Sequence, residues 1–215
     1  MPNGQRLWTD LPYLADDLYD FWVKESAKLT GVERASFAAF TSKLFAIGIG
    51  TPQLSRCALL FARALETELP SETLADLLPA CQEWLRYSKI KFMKMSSENY
   101  CPPPSAADDA ASYAPGPLVT DANITQGFSV ARWLFWRKRA GENHNPSSGD
   151  VSKLGRSCFE EMIDAGQCVG IGIPGEKVYL AKIFKALEDE VASGRFSGCV
   201  GAGDIDIDPN WAKEN

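Results

Sequence analysis

The chain has 215 residues, of which 45% are hydrophobic and 23% are charged, and its formal net charge at pH 7 is −6. This length suits one domain with a sizeable core, and the composition excludes wholesale disorder. The negative charge argues against a protein that holds DNA or RNA, because phosphate backbones need a basic face. No apolar run approaches the ~18 residues of a membrane span and residues 1–10 do not resemble a signal peptide, so we expect a cytoplasmic protein.

Three closely spaced amphipathic helices are predicted first. One covers residues 12–29, with Asp16 and Asp17 near the positive end of its dipole. The next covers residues 33–47, and the third starts at Thr51, an N-cap followed by a proline at the first helical position. The positions expected to face the core are Leu14, Leu18, Phe21, Trp22 and Leu29, then Phe37, Phe40, Leu44 and Ile47, then Leu54, Cys57, Phe61 and Leu65.

A fourth helical region, residues 71–97, is the longest. Pro79 removes an internal hydrogen bond, so either the helix kinks near Leu78 or a short helix ends there and a longer one starts. Residues 99–120 follow, rich in proline and small residues and without a helical or strand period. Loops of this length are usually lids, binding loops or linkers, and we interpret this one as a candidate lid.

The strongest helix signal lies in residues 128–140. Ser129 is a good N-cap, and Phe128 before it staples the entry of the chain. Large apolar residues cover most of the circumference, so the first two turns are predicted to be buried. The basic residues 137–139 lie where the helix dipole favours cations, and we interpret them as a helix-end feature rather than a nucleic-acid patch.

Two further helices complete the pattern. They are residues 150–168, with Val151, Leu154, Cys158, Met162 and Ala165 inward, and a last helix opened by Pro174 and ended by Gly194, with Leu180, Ile183, Phe184, Leu187 and Val191 inward. The chain is therefore predicted to be an all-α, single-domain bundle of about seven helices with a long Pro-rich loop. We expect residues 1–194 to form this domain and residues 195–215, Gly-rich and then acidic, to form a C-terminal tail.

Signals for metal binding and nucleophilic catalysis are weak. The six cysteines lack a Cys-x-x-Cys spacing, and the only histidine, His144, is interpreted as an exposed loop residue. Cys57, Cys81 and Cys158 fall on apolar helical positions and are predicted to be buried thiols. Asp16-Asp17-x-x-Asp20 matches the short magnesium-binding pattern of class I terpene cyclases, but a helix start favours the same aspartates. We expect no metal and no cofactor.

Two blocks of residues resemble a known family. They are Leu78-Pro79-Ala80-x-x-x-Trp84-Leu85-Arg86-Tyr87 and Gly127-Phe128-Ser129-x-x-Arg132-Trp133-x-Phe135-Trp136. In this order and with this gap they are similar to a fungal domain-of-unknown-function family (family 3632), and the similarity extends loosely from Trp8 to Val191. Ala131 stands where an acidic residue is expected in that family. The resemblance implies an all-helical fold, a fungal origin and an association with secondary-metabolism genes, and it assigns no activity or catalytic residue.

Aromatic-rich helices without cofactor motifs favour a cofactor-independent small-molecule enzyme of fungal secondary metabolism. Such an enzyme, for example a cyclase or a pericyclase of Diels–Alder type, would fold an apolar polyene or terpenoid in a helical cavity. The alternative is a non-catalytic helical binding or protein-interaction module, in which the Trp and Phe residues only fill the core. An enclosed apolar cavity above ~300 Å³ with convergent polar groups would distinguish the two.

The expected ligand is an apolar small molecule held between two aromatic helices. The predicted ligand-binding residues are Trp84, Arg86, Tyr87, Tyr100, Arg132 and Trp136. Arg86 and Arg132 would orient a carboxylate or carbonyl, and Tyr87 would donate a hydrogen bond. Tyr100 or Tyr113, on the long loop, would close the opening. The alternative is that both arginines form ion pairs at helix ends and Tyr87 is a packing residue.

Overall fold

The computed structural model of the chain describes residues 11, 13–103, 113–122, 124, 126–143, 149–170 and 176–193. Within these residues it contains seven α-helices and no strand, which confirms the predicted all-α fold. A short 3-10 helix, Ser26–Lys28, follows the first helix. The α-helices are α1 (Leu14–Glu25), α2 (Gly31–Ala46), α3 (Thr51–Glu66), α4 (Ser71–Ser97), α5 (Val130–Glu142), α6 (Asp150–Cys168) and α7 (Glu176–Ser193).

Helix α4 is the axis of the bundle and packs against α2, α3, α5 and α6. Aromatic rings form the centre of the core around it. Phe45 of α2, Trp84 and Phe92 of α4, and Phe128 before α5 follow one another with ring centroids 5.7 to 5.8 Å apart. This spacing is favourable for aromatic pairs. Trp84 is 1% exposed and Trp133 is 0% exposed, which confirms the predicted burial of these two tryptophans. The first two turns of α5 are not buried all round as predicted, since Leu134 and Phe135 are only partly buried.

Helix α4 runs unbroken through Pro79, which excludes the predicted alternative of two separate helices. Leu74 and Leu78 before the proline and Cys81 and Trp84 after it are all buried. Because the apolar face continues across the proline, packing on both sides holds the helix together despite the missing hydrogen bond.

Four residues that were predicted to face the core are exposed instead. They are Phe21 (40%), Phe40 (50%), Ile47 (74%) and Phe184 (61%). In α2 the small residues Ala38 and Ser42 are fully buried instead. Ser42 contacts α4 directly, because its Oγ donates to the Glu83 carbonyl oxygen at 3.3 Å and its own carbonyl oxygen accepts from Ser88 Oγ at 2.8 Å. Small side chains allow the two backbones to come close, whereas hydrophobic periodicity gives most weight to large apolar residues.

Hydrogen bonds from capping residues determine where two of the helices start. The predicted cap of α5 is confirmed, since Ser129 Oγ accepts from the Arg132 amide at 3.1 Å. Helix α2 starts earlier than predicted because Thr30 and Glu33 form a capping box. Thr51 is the first residue of α3 rather than its cap, which is Gly50 in a left-handed conformation with φ +57°.

Among the described helices, none is long and apolar enough to cross a membrane. His144, Pro174, Gly194 and residues 195–215 lie outside the described residues. The exposed loop histidine and the division into a 1–194 domain and a tail therefore stay predictions.

Candidate functional site

An aromatic cavity lies in the core where α3, α4, α5 and α6 meet. Its wall includes Phe61, Cys81, Trp84, Phe128, Trp136 and Met162. The cavity thus brings together Trp84 and Trp136, two of the predicted ligand-binding residues. Its volume is about 30 Å³. That is enough for a water molecule and far below the ~300 Å³ of a typical ligand pocket.

Arg132, in the first turn of α5, is buried, and all five N–H groups of its guanidinium are engaged. Nε donates to Glu66 Oε1 at 2.6 Å and Nη2 to Glu66 Oε2 at 2.9 Å, which forms a bidentate ion pair between α5 and α3. The remaining donors bind the carbonyl oxygens of Gly127 at 2.7 Å, Tyr113 at 2.9 Å and Ala114 at 3.2 Å. No donor is left over for a ligand in this arrangement, so a ligand contact from Arg132 stays a prediction.

Glu66 is completely buried, and both of its carboxylate oxygens accept two hydrogen bonds. Besides Arg132, Oε1 accepts from Trp136 Nε1 at 2.6 Å and Oε2 accepts from the Gly116 amide at 2.7 Å. A Cβ at position 116 would lie 2.6 Å from the Cβ of Glu66, so the approach requires glycine. We call Glu66, Gly116, Arg132 and Trp136 the clamp, because they tie the segment before α5 to α3.

The clamp glutamate was not among the predicted site residues. Its sequence signal is a charge one helical turn after the buried Ala62, on an otherwise apolar face. That position indicates a buried carboxylate, but its partners come from a segment 50 to 70 residues away. Sequence spacing alone does not connect them.

The other predicted ligand-binding residues do not line the cavity. The Arg86 side chain is 60% exposed and lies 3.8 Å from a glutamate on the same helix. Tyr87 is partly buried, and Lys43 Nζ lies 4.4 Å from its ring centroid. Tyr100 is partly buried with its ring 6.4 Å from that of Phe128. A role of these three residues in ligand binding stays a prediction.

A larger groove opens on the surface between α1, α3 and α4. Its volume is about 390 Å³, which falls in the usual range of small-molecule pockets. The apolar part of the groove is formed by Trp22, Val23, Leu60, Phe61, Ala64 and Leu77, and polar groups come from Ser26, Arg63 and Thr67. Phe61 lines both the groove and the inner cavity, so its ring separates the two spaces.

Arg34 also borders the groove. All of its guanidinium N–H groups donate hydrogen bonds, to the α1–α2 connection and to α4. Nε and Nη2 donate to the carbonyl oxygen of Ser26 at 3.2 and 3.1 Å, and Nη2 donates to that of Leu29 at 2.9 Å. Nη1 donates to the Asp76 carbonyl oxygen at 3.2 Å and to the Asp76 carboxylate. Arg34 is therefore a structural residue that shapes one end of the groove.

The buried thiols are poor nucleophiles. Desolvation raises the pKa of the Cys81 thiol to about 12, and it also raises the pKa of the Cys57 and Cys158 thiols above their ordinary value. A thiol reacts as the thiolate, so these cysteines act as small apolar core residues, as predicted.

The aspartates of α1 are placed as a helix start favours. Asp16 and Asp17 occupy the first turn and are exposed, and Asp20 forms an ion pair with Lys24 one turn later. The helix dipole and this pair account for all three carboxylates.

Over residues 1–140 the chain matches the family described as "Protein of unknown function (DUF3632)". The protein belongs to this family. The resemblance carried by the two aromatic blocks is thereby confirmed. "Oxopyrrolidines biosynthesis cluster protein G" of Penicillium oxalicum is 25% identical to this DUF3632 protein over 233 aligned positions. The alignment covers 97% of this chain and 62% of the relative, so the chain spans less than two thirds of that fungal protein. No solved structure matches the chain significantly.

The part of the DUF3632 protein that matches the family contains the whole clamp and the whole groove. Of the cavity wall, Met162 lies beyond it. The family region thus supplies nearly all of the candidate site, and α6 closes the inner cavity from outside that region.

Proposed function

We propose that this protein binds an apolar small molecule with a ring carbonyl in the groove between α1, α3 and α4, as a member of a fungal secondary-metabolite pathway. The groove carries the proposal: about 390 Å³ of mainly apolar surface with a few polar groups at its rim has the character of a small-molecule site. The relative's name supports the pathway and the ligand class, since an oxopyrrolidine is a five-membered ring that carries a carbonyl group.

The groove is a better candidate than the predicted Trp84–Trp136 site in its present shape. The inner cavity, at about 30 Å³, is too small for a polyene. The clamp also occupies Arg132, whose guanidinium carbon lies 5.4 Å from the Trp136 ring centroid. The groove, by contrast, is open to solvent and accessible to a ligand without a change of the helices.

The titratable groups on the groove are of a type that suits a binding protein and not an acid–base catalyst. Among the described lining residues these are Arg34 and Arg63. Guanidinium groups stay protonated in proteins and do not act as general acids or bases near neutral pH. The cyclase or pericyclase predicted from the sequence is the finer form of this proposal, because such an enzyme works by folding its substrate against an aromatic wall such as Trp22 and Phe61.

Titration calorimetry with N-hexylpyrrolidone, an apolar chain on a lactam ring, tests the groove. Val23, 54% exposed on the groove, would be changed to Arg, and the control is Val178→Arg at a valine of similar exposure (61%) on α7. We expect Val23→Arg to weaken binding at least tenfold, because a charged side chain fills the apolar groove, and Val178→Arg to leave it unchanged. Equal affinity of both variants and the wild type would exclude the groove.

Catalysis is tested separately by incubating the protein with a linear polyene that carries a lactam head group. A product of the same mass but different retention on chromatography supports the cyclase. Unchanged polyene, recovered bound to the protein, supports the binding module.

A further inference from the structure

We infer that the ligand of the groove reaches the inner cavity past Phe61 and that the indole N–H of Trp84 binds its carbonyl oxygen. The inference rests on the proposed function and adds two things to it: the group that orients the ligand, and the restriction of the ligand to neutral carbonyl compounds such as ketones, lactams and amides.

The first observation is an unused hydrogen-bond donor. Trp84 is 1% exposed and lines the inner cavity, and its Nε1–H has no hydrogen-bond partner within the part of the chain that the structure describes. Buried donors are nearly always paired, so a donor of this kind next to a cavity indicates a missing acceptor.

A water molecule is a poor acceptor here. Buried waters make about three hydrogen bonds, and an apolar cavity that offers fewer stays dry. The other side-chain donors on the described wall are engaged: Trp136 Nε1 donates to Glu66, and Cys81 Sγ donates to the Phe61 carbonyl oxygen at 3.5 Å. A carbonyl oxygen needs one donor and brings apolar atoms to fill the remaining space, so it fits the cavity better.

The side chains that line the inner cavity also determine which charge the ligand can carry. The cavity is lined by aromatic, aliphatic and sulfur-containing side chains, and the guanidinium of Arg132, which lies over the Trp136 ring, is already neutralised by Glu66. Moving a carboxylate into such surroundings without a partner is strongly unfavourable. The carbonyl group that Trp84 binds is therefore a neutral one.

Phe61 provides the path. Its ring centroid lies 4.2 Å from that of Trp22 on the groove side and 5.5 Å from that of Trp84 on the cavity side. Rotation of this one side chain would join the groove to the cavity at the cost of ring contacts with Trp22 and Trp84, and a phenyl ring has no hydrogen bond or ion pair to lose. The apolar chain of the ligand would then lie in the groove while its carbonyl end occupies the enlarged cavity.

The test compares N-hexylpyrrolidone with hexylcyclopentane, which lacks the carbonyl and the ring nitrogen, in the wild type and in Trp84→Phe. We expect the preference for the pyrrolidone to fall about tenfold in Trp84→Phe, the usual value of one neutral hydrogen bond. Trp133→Phe is the matched control, because Trp133 is also fully buried, its Nε1 has no hydrogen-bond partner among the described residues, and it does not line the cavity. This variant should keep the wild-type preference.

Nuclear magnetic resonance of the wild type gives a second readout that does not depend on a variant folding. The Trp84 indole proton should move downfield when N-hexylpyrrolidone binds and should not do so with hexylcyclopentane, while the Trp133 indole proton stays in place. Binding of the pyrrolidone with a stationary Trp84 indole proton, or an undiminished preference in Trp84→Phe, overturns this inference and leaves the groove proposal intact. Absence of any binding to the wild type refutes the proposed function itself.

Discussion

The pairing of Glu66 with Arg132 shows how this chain tolerates two buried charges. Removing a carboxylate and a guanidinium from water is costly, and the cost is offset only when every donor and acceptor is paired. Here the guanidinium makes five hydrogen bonds, three of them to backbone carbonyls of residues 113–127, and the carboxylate accepts four. The clamp therefore holds the chain before α5 against the end of α3.

Arg132→Ala is expected to destabilise the protein by about 3–5 kcal/mol, because it leaves the buried Glu66 carboxylate without its counter-charge and removes the guanidinium donors from three carbonyl groups. Urea unfolding followed by circular dichroism measures the change. Arg86→Ala is the control, since its side chain is 60% exposed and surface ion pairs contribute at most about 1 kcal/mol. Similar losses for the two variants would contradict the structural role of the clamp.

The buried thiol of Cys81 should make the stability of the protein decrease at alkaline pH. Because the pKa of Cys81 is raised to about 12 in the folded protein, unfolding becomes easier once the unfolded thiol ionises above about pH 8.5. This contribution is fully present below that pH and is lost progressively as the pH rises towards 12. The free energy of unfolding of the wild type should fall relative to Cys81→Ala by about 1.4 kcal/mol per pH unit above pH 9. A constant difference between pH 8 and pH 10.5 would show that the thiol does not contribute.

At the scale of single elements, α2 is positioned by its start and by its small-residue face. Thr30 Oγ1 accepts from the Glu33 amide at 3.3 Å, and the Glu33 carboxylate accepts from the Thr30 amide at 2.9 Å. Ser42 then holds the helix against α4, which leaves Phe40 and Ile47 on the outer side. The outward direction of these large residues is thus a consequence of the close contact on the inner side.

Thr30→Ala is expected to lower the free energy of unfolding by about 1 kcal/mol, as the loss of an N-cap does in other helices. Thr73→Ala is the control, because Thr73 lies in the first turn of α4, which has no side-chain cap, and alanine favours the helix. A melting temperature of Thr30→Ala equal to that of the wild type would rule out the capping box as a stabilising feature.

The same capping box makes α2 sensitive to acid. The hydrogen bonds from Thr30 lower the pKa of the Glu33 carboxyl group. Its contribution is therefore present above the ordinary carboxyl pKa of about 4.3 and is lost as the pH falls below it.

At the scale of the whole molecule, α6 and α7 differ in how they join the bundle. Helix α6 buries Cys158 and Met162 and is connected to α4 by Lys89, whose ammonium group pairs with Glu161 and Asp164. Of the α7 side chains that the structure describes, Leu180 packs against the core and the others are exposed. The core thus extends beyond the family region to α6, and α7 lies at its edge.

Truncation tests this division. A chain of residues 1–170 should keep the cooperative melt of the full chain, with a change of at most a few degrees, because the α7 side chains that the structure describes, apart from Leu180, are exposed and add little buried apolar area. A chain of residues 1–140, the extent of the family match, should be unfolded or aggregate, because removal of α6 exposes the apolar faces of α4 and α5. A stable, cooperatively folded 1–140 fragment would contradict the integral role of α6.

Local signals in the sequence are sufficient to predict where the helices lie in the chain. The positions of the seven described helices follow from apolar periodicity, prolines and caps such as Ser129, because each of these acts within a few residues of the chain. The burial of Trp84 and Trp133 and the inert character of Cys57 and Cys81 follow from the same pattern. The two aromatic blocks, each a short run of the chain, are also sufficient to indicate the family.

The candidate site could not be predicted from such local signals, because its groups are separated in sequence and meet only after the helices pack. Glu66 and Arg132 are 66 residues apart, and the groove uses side chains of α1, α3 and α4 that each look like ordinary core residues. Whether Phe40 faces inward and whether Arg86 faces the cavity depend on how each helix is rotated about its axis. That rotation is determined by close contacts between helices, such as those of Ser42 with Glu83 and Ser88 of α4, which no single helix contains.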